Sequence, residues 1–549
     1  MSLEQRSILE GPIDEKVKKG VIETLIEYKK LGTKFENPPL IKYVIEPHVI
    51  GDDNHEVGVR DIAITTAVQC YAPGSAPLRH RPEEKQQAIA DSTAEAGHHT
   101  TRMHPNFTFH LTVTRDLAER ILHANPFYNS EQQSQRFVEA RKGNYEIPAG
   151  LSEIQREKYI KAAEYMNDAY FNLLAELRPS VEGRIRSMYP VNGWNKESTA
   201  NRLNSKIDKI CQEVARYVLP ISQKTVMYHT INEIQIMRLF RASKMGNFSD
   251  EAKYVIASMI EKIAERDPSI LLELDKPSPE YSHPNFFESR VRQKEEFDKR
   301  IGNKNSLIIG STNNFRDVLV TAIRNVTGAT IEDLSDDEAL KLLLSPRLNP
   351  LLSDVYEIGM LDPFTAILRQ VSFTAMTKLS HTAESQRQRQ RRTPGAVPTV
   401  DDIYDGRADY MTPLVIRENK DLQSKYDEIM ENIYKNVEDC IASGMPREIA
   451  MKLLPNAQTI RLVETGDLFD WFHRFKQRLC FLAQEEFCFI SIEQAEQITD
   501  KFPDFENLFL APCGVAHEAG TGKCPEGDRW CGKPVWKWKI SQYKKERLI

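Results

Sequence analysis

The feature that most constrains this chain is that it repeats itself in order. "RDIAITTA" from Arg60 is echoed by "RDVLVTAI" from Arg316, "QSQR" ending at Arg136 by "ESQR" ending at Arg387, and "EVARYVLP" (Glu213–Pro220) by "EIAMKLLP" (Glu448–Pro455). Three pairs in the same order and at similar spacing predict two copies of one domain, and a repeat fixes how everything else is read. At 549 residues the chain also exceeds the ~250–300 residues over which one core keeps growing. The run "DKPSPEYSHPNFFESRVRQKEEFDKRIGNKNS" mixes Pro, Gly and charge as connecting segments do. The expected organisation is an N-terminal extension (1–45), a first copy (46–275), a linker (276–305), a second copy (306–505) and a tail (506–549).

Within the copies, "LSEIQREKYIKAAEYMNDAYFNLLAEL" and "LQSKYDEIMENIYKNVEDCIASG" carry apolar residues three and four apart, which predicts amphipathic helices. Gly444 then serves as a C-cap, Pro446 opens the next helix and Pro455 stops it. "FTFHLTVT" (Phe107–Thr114) alternates like a half-buried strand. The "RDIAITTA" and "RDVLVTAI" runs read as strands or as the entry to a helix. A formal charge of −6 with 28% charged residues gives no global pull toward nucleic acid. No run reaches the ~18 apolar residues of a membrane span, and the start "MSLEQRSILEGPIDEK" lacks a signal peptide's apolar stretch, so a cytoplasmic protein is expected.

A Ser followed two positions later by an Arg offers a hydroxyl and a guanidinium fork to one phosphate. Ser134 with Arg136, and Ser385 with Arg387, fit this pattern, and beyond the second pair the charge rises through Arg389, Arg391 and Arg392. A solvated basic face is the plainer reading of one such run; its recurrence favours an anion site. His381 lies one helical turn before Ser385.

These residues resemble the flavin-dependent thymidylate synthases (the ThyX family). "GHHTTRMHPNFTF" (Gly97–Phe109), "SEQQSQRF" and "EVARYVLPISQKTVMYHTIN" are similar to three family segments, matching at Gly97, His104, Ser134, Arg136, Arg216 and Asn232, with Phe137 in place of a Tyr. In the second copy, "TAESQRQ" and "NAQTIRLVETGDLFDWFHRFKQRLCFLAQEEF" place Ser385, Arg387, Arg478, Ala483 and Gln484 at family positions. The resemblance implies an α+β fold: two tandem domains, each with helices around a mostly antiparallel sheet. It also implies reductive methylation of dUMP at C5 to dTMP, with methylenetetrahydrofolate and NADPH as cosubstrates and FAD as cofactor. Ser134, Arg136, Arg216, Ser385, Arg387, Arg478 and Gln484 would bind the nucleotide, Arg478, Ser385 and Ser134 would serve catalysis, and His104 and Asn232 would face the cofactor.

The family's Arg-His-Arg motif is altered: Ala124, Asn125 and Pro126 precede the first Ser-Arg pair, and Ala375, Met376 and Thr377 the second, while Arg79–Arg81 comes too early. This leaves two alternatives, a nucleotide-binding relative without flavin chemistry and a flavoenzyme acting on another pyrimidine nucleotide. Met451 stands where the first copy has Arg216, and Ser243 where the second has Arg478. Given these complementary losses, the resemblance implies a composite site drawing on both copies, and a homodimer of two-copy chains. Nucleic acid is not expected as a partner.

The tail "APCGVAHEAGTGKCPEGDRWCGKPVW" holds Cys513, His517, Cys524 and Cys531 with little apolar material. Three thiols and an imidazole complete a tetrahedral structural zinc shell; an iron-sulfur cluster or unliganded thiols are the alternatives. His98, His99 and His104 lack companion carboxylates or thiols for a metal.

Overall fold

The computed structural model describes the chain except residues 1–18, 46–48, 124–127, 189–196, 246–247, 275–278, 280, 282–283, 523 and 548–549. Its first unit opens with helix α1 (Lys19–Lys30) and strand β1 (Leu40–Ile45), followed by α2 (Val59–Gln69), β2 (Asn106–Thr114) and β3 (Tyr128–Gln132). The long pair α3 (Glu153–Met188) and α4 (Glu197–Ala215) leads to β4 (Lys224–Asn232), α5 (Glu233–Ser243) and α6 (Asp250–Ala264). The second unit runs β5 (Ser306–Ser311), α7 (Phe315–Thr327), β6 (Ser372–Ser380), α8 (His381–Gln388), β7 (Gly395–Ala396), α9 (Lys420–Ala442), β8 (Thr459–Asp467), α10 (Leu468–Arg478) and α11 (Glu485–Lys501). Both sheets have the same antiparallel topology, β1-β2-β4-β3 and β5-β6-β8-β7. "RDIAITTA" and "RDVLVTAI" lie in the equivalent helices α2 and α7. No helix among the described residues is long and apolar enough to cross a membrane.

The strands form where alternation puts apolar side chains on one face: Phe107, Phe109, Leu111 and Val113 of β2 are buried, with polar residues between them. They pack on α5 and α6 in the first core. α1 joins this core through Val21, Leu25 and Tyr28, and β1 is an edge strand of the first sheet, so segments that composition reads as an extension are built into the first unit. The second core likewise gathers β6, α7, α10 and α11.

The units meet through a pseudo-twofold joint. Pro220 bridges Pro455; Ile221 N donates to Leu454 O (3.0 Å) and, reciprocally, Asn456 N to Leu219 O (2.8 Å). Ser222 N donates to Lys452 O (3.1 Å) and Ala457 N to Tyr217 O (2.8 Å). The "E-x-A-x-x-x-L-P" elements of the two copies thus lie against each other, with α3 and α9 packed into shared cores.

The tail is ordered by apolar packing. Cys513, Val515, Cys531, Val535, Ile540 and Tyr543 join the second core, with Phe481 against Trp538 and Tyr543, the latter in helix α12 (Ile540–Glu546). Arg547 closes it by donating to Ala483 O (2.6 Å) and Cys480 O (3.3 Å). The expectation of a segment too poor in apolar residues to order itself is corrected: its few large side chains complete a core that already exists.

Candidate functional site

The joint offers two related positions, one on each side of the pseudo-twofold. In the second copy Ser380 ends β6 and caps α8 by accepting from Ala383 N (3.0 Å); its own N and Oγ donate to Glu486 (2.7 and 2.6 Å). In the first copy Thr114 ends β2, caps the following turn at Leu117 N (3.2 Å) and donates to Glu251 (2.9 and 2.7 Å). The carboxylate accepts from Tyr217 Oη on one side and from Lys452 Nζ (3.0 Å) on the other. The frame is symmetric and its contents are not.

On the Ser380 side the guanidinium groups of Arg136, Arg216, Arg389 and Arg478 converge. Arg136 follows β3 and donates Nε to Glu213 and Nη2 to Leu482 O (2.8 Å). Arg216 is 2% exposed; its Nε reaches Glu213 O (3.3 Å), and Nη2 has no hydrogen-bond partner among the described residues. Arg478, at the end of α10, reaches neutral acceptors: Gln386 O (3.0 Å) and, with the amide turned to suit, the Gln390 oxygen (2.8 and 2.7 Å). Burial and the neighbouring Arg389, Arg136 and Arg474 bring the Arg478 guanidinium down to about 9. Burial, with Arg115 and Arg136 acting against the help of Glu213, brings Arg216 to about 10.

Glu213 is the carboxylate placed among them; burial alone would raise it, but Arg136 and Arg216 hold it low. Glu119, beneath the cluster, is pushed up to about 7 by burial against the pull of Arg115 and Arg216. The guanidinium groups are therefore under-neutralised, and like charges held together without counter-charge favour a bound anion. Arg136 and Arg478 border a cleft of about 1040 Å³ lined by α4, by residues 353–357, by the end of α10 and by the tail.

On the Thr114 side the same place is filled by protein. Ser243 replaces Arg478, and Tyr28 of α1 donates its hydroxyl to Ser243 O (3.1 Å) while Ser243 Oγ reaches Tyr28 Oη (3.3 Å). Met451 replaces Arg216 and is buried, and Lys34 beyond α1 pairs with Asp250 (2.6 Å).

A family model described as "Thymidylate synthase complementing protein" matches residues 55–269 and 310–504. The chain belongs to this family. It is also similar to the flavin-dependent thymidylate synthase of Clostridium tetani (strain Massachusetts / E88), 24% identical over 215 residues, 38% of this chain and 79% of that protein. A solved structure of a UMP/dUMP methylase from Streptomyces cacaoi, bound with 5-Br dUMP, aligns over 42% of this chain and 94% of that one at 15% identity and a TM-score of 0.29. The two matched segments coincide with the two sheet-bearing units, so this is a two-copy member.

The structure brings together some of the residues expected from sequence and separates others. Arg136, Arg216 and Arg478 meet, from two copies, as the complementary losses imply. Ser385 and Arg387 do not: they sit inside α8, in a different place from Ser134 and Arg136, which follow β3. Ser385 Oγ donates to Thr382 O (2.8 Å), and Arg387 is buried in a bidentate pair with Glu384 (2.6 and 2.7 Å) and bonded to Thr393 O (3.0 Å). The second "SQR" is thus a helix interior tied to its own strand layer, and the echo is one of letters. Ser134 opens on a separate cavity of about 220 Å³ with Thr112 and Asn144. Gln484 is engaged as the N-cap of α11, accepting from Phe487 N (2.8 Å), and as a donor to Tyr217 Oη (2.8 Å).

Ala375, Met376 and Thr377 lie in the middle of β6; the residues that follow the helix after this strand are Arg389, Gln390 and Arg391. Arg391 crosses to the first copy, donating to Tyr128 O (2.8 Å) and Asn129 Oδ1 (3.0 Å), and Arg389 stands beside Arg478. Sequence comparison anchored on the "SQR" echo misses this Arg-Gln-Arg; the usable signal was the strand–Ser–helix order. Ala124, Asn125 and Pro126 lie outside the described residues.

The two residues given to the cofactor lie at one end of the first sheet. His104 is exposed, and Asn232 is committed as the N-cap of α5, accepting from Gln235 N (3.2 Å). Both belong to the Asn106↔Asn232 end of the β2–β4 ladder, eight residues or about 26 Å along the strand from Thr114 at the joint. The segment carrying Arg389 and Arg391 reaches the same end of the sheet, because Tyr128, which accepts from Arg391, pairs with Ile231 beside Asn232. The tail set is corrected too: Cys513 and Cys531 are buried in the core, His517 is exposed, and among the described residues no group of three or more His, Cys, Asp or Glu is placed to hold a metal.

Proposed function

We propose that this chain binds one pyrimidine deoxynucleotide, a dUMP-like monophosphate, in the cleft between its copies, and that the reaction it serves is methylation at C5. The observation that carries this reading is the under-neutralised set Arg136, Arg216, Arg389 and Arg478, assembled from both copies. A phosphate near neutral pH carries close to two charges and three strong acceptor oxygens, which suits several charge-assisted donors. In this reading Arg136 and Arg478 grip the phosphate from opposite copies. Arg216 supplies field from beneath, where its charge is least screened, and Glu213 orients Arg136 and Arg216. Placement of the pyrimidine against fixed dipoles in a walled cleft is how such a site would favour attack at C5.

Family membership supports methylenetetrahydrofolate as the carbon donor and an NADPH-reduced flavin as the source of hydride. The loss of the family's Arg-His-Arg ahead of both Ser-Arg pairs favours a second reading, a nucleotide-binding relative without flavin chemistry. The test is calorimetric titration with dUMP together with the visible spectrum after adding FAD and desalting. Binding near one dUMP per chain supports the nucleotide reading, and retained flavin bands with dTMP formation support the synthase. A colourless protein that binds dUMP leaves the second reading, and absence of dUMP binding sinks both.

A further inference from the structure

The cleft continues well beyond the phosphate grip, and what lines its outer part is cationic. Along α4 from Glu213, the residues Lys209, Lys206 and Arg202 recur at four, three and four positions, one helix face, and all line the cleft. They extend about 16 Å along the helix away from Glu213 and Arg136. Neither Arg202 nor Lys209 pairs with a carboxylate among the described residues; Lys209 lies over the ring of Phe137 (5.6 Å). Lys206 reaches Cys531 O (3.5 Å), and burial pushes its ammonium down to about 8.

The acidic residues of this lining are already engaged. Glu526 pairs with Arg529 (3.4 Å), Asp354 accepts from Tyr356 N and Ile358 N (2.9 and 3.1 Å), and Glu357 is shared by Lys476, Arg392 and His473. Glu485 accepts from Leu414 N (3.0 and 3.1 Å). Three aromatic rings stand exposed at the cleft: Phe137 (59%), Tyr356 (88%) and Trp530 (39%). Cations such as Arg202 and Lys209, without a carboxylate partner among the described residues, beside exposed ring faces are the chemistry that tracks a phosphate chain carrying bases.

We propose that Arg202, Lys206 and Lys209 form a second anion subsite, so that the preferred ligand of the cleft is a pyrimidine nucleotide bearing at least two phosphate groups. This rests on the nucleotide reading above. The second phosphate belongs either to a 5′-polyphosphate or to the phosphodiester of a short oligonucleotide, and the chemistry that recognises it is the same.

The experiment is calorimetric titration of the full chain with dUMP, dUTP and the 5′-phosphorylated dinucleotide pdUpdU, at low and high salt. The added phosphate is expected to tighten binding about tenfold or more, as one charge-assisted contact does. The exposed-residue variants Arg202→Glu and Lys209→Glu should remove that gain while leaving dUMP within about twofold. A gain for dUTP alone assigns a polyphosphate, and a gain for pdUpdU assigns an oligonucleotide. Three ligands binding within threefold of one another, or a gain that survives both charge reversals, would overturn the second subsite while the dUMP site stands. Loss of all binding in the unmodified chain would overturn the nucleotide reading and this inference with it.

Discussion

Two arginines four residues apart on α10 should behave oppositely when removed. Arg474 is fully buried and paired with Glu464 (2.9 Å through Nη1), Gln494 (3.3 Å) and Thr393 (2.7 Å). Arg474→Met leaves Glu464 buried with Arg387 as its remaining cation (3.5 Å), and breaking such a pair costs about 3–5 kcal/mol. Arg478 has no carboxylate partner among the described residues and is crowded by Arg389 and Arg136. Lowering its guanidinium from the usual arginine range to about 9 corresponds to an upper figure of about 5 kcal/mol against the charged form, of which we take about a third for a side chain that still touches solvent. Arg478→Met in the free protein is therefore expected to be neutral or stabilising by about 1–2 kcal/mol. With nucleotide the order reverses: one charge-assisted phosphate contact is worth about 1.5–3 kcal/mol, so dUMP affinity should fall about ten- to a hundredfold. Thermal melts with and without saturating dUMP, paired with calorimetry, read both effects; a ligand at a hundred times Kd adds about 2.7 kcal/mol in the unmodified chain. If Arg478→Met destabilises the free protein as much as Arg474→Met and leaves dUMP binding unchanged, Arg478 is a structural residue and the reasoning fails.

Other consequences are as direct. Calorimetry should give one nucleotide per chain, because the Thr114-side joint is filled by Tyr28 and Lys34; a stoichiometry of two would show that α1 leaves it open. Ser243→Arg, which restores the missing arginine, should destabilise the free protein by several kcal/mol, since it forces a guanidinium against Tyr28, whereas Tyr28→Phe loses the hydroxyl's two contacts with Ser243, about 1–2 kcal/mol; urea midpoints compare the two. Glu119 retains its proton in the fold up to about pH 7 but releases it near 4.5 when unfolded. Its contribution is therefore most favourable below about 4.5 and is lost as pH rises from there to 7. Glu119→Gln, among Arg115, Arg216, His381, Glu384 and Asp116, should reduce the difference in unfolding free energy between pH 5 and pH 7.5 by up to about 3 kcal/mol. An unchanged difference would show that Glu119 is ionised across that range.

Much of this was written in the chain. The paired "E-x-A-x-x-x-L-P" segments announced the duplication because their job, meeting across a pseudo-twofold, needs the same small and apolar residues twice. The amphipathic periods of α3 and α9 and the alternation of β2 were legible because burial of one face imposes a fixed spacing. The complementary exchange of Arg216 for Met451 and of Ser243 for Arg478 led to the expectation that arginines of both copies meet, and in the fold Arg136, Arg216 and Arg478 lie near one another. What spacing could not decide was whether a charged residue faces a ligand or another side chain. Arg387 and Arg136 sit in the same triplet, yet one is consumed by Glu384 and the other opens on the cleft, because a three-letter match does not encode the strand or helix that carries it. Nor could composition show that the tail completes the second core and walls the cleft, that α1 fills the opposite joint, or that α4 presents Arg202, Lys206 and Lys209 inward. Those follow from packing between segments hundreds of residues apart, where the free energy of burying one surface selects which charges stay in water and which are left without a partner.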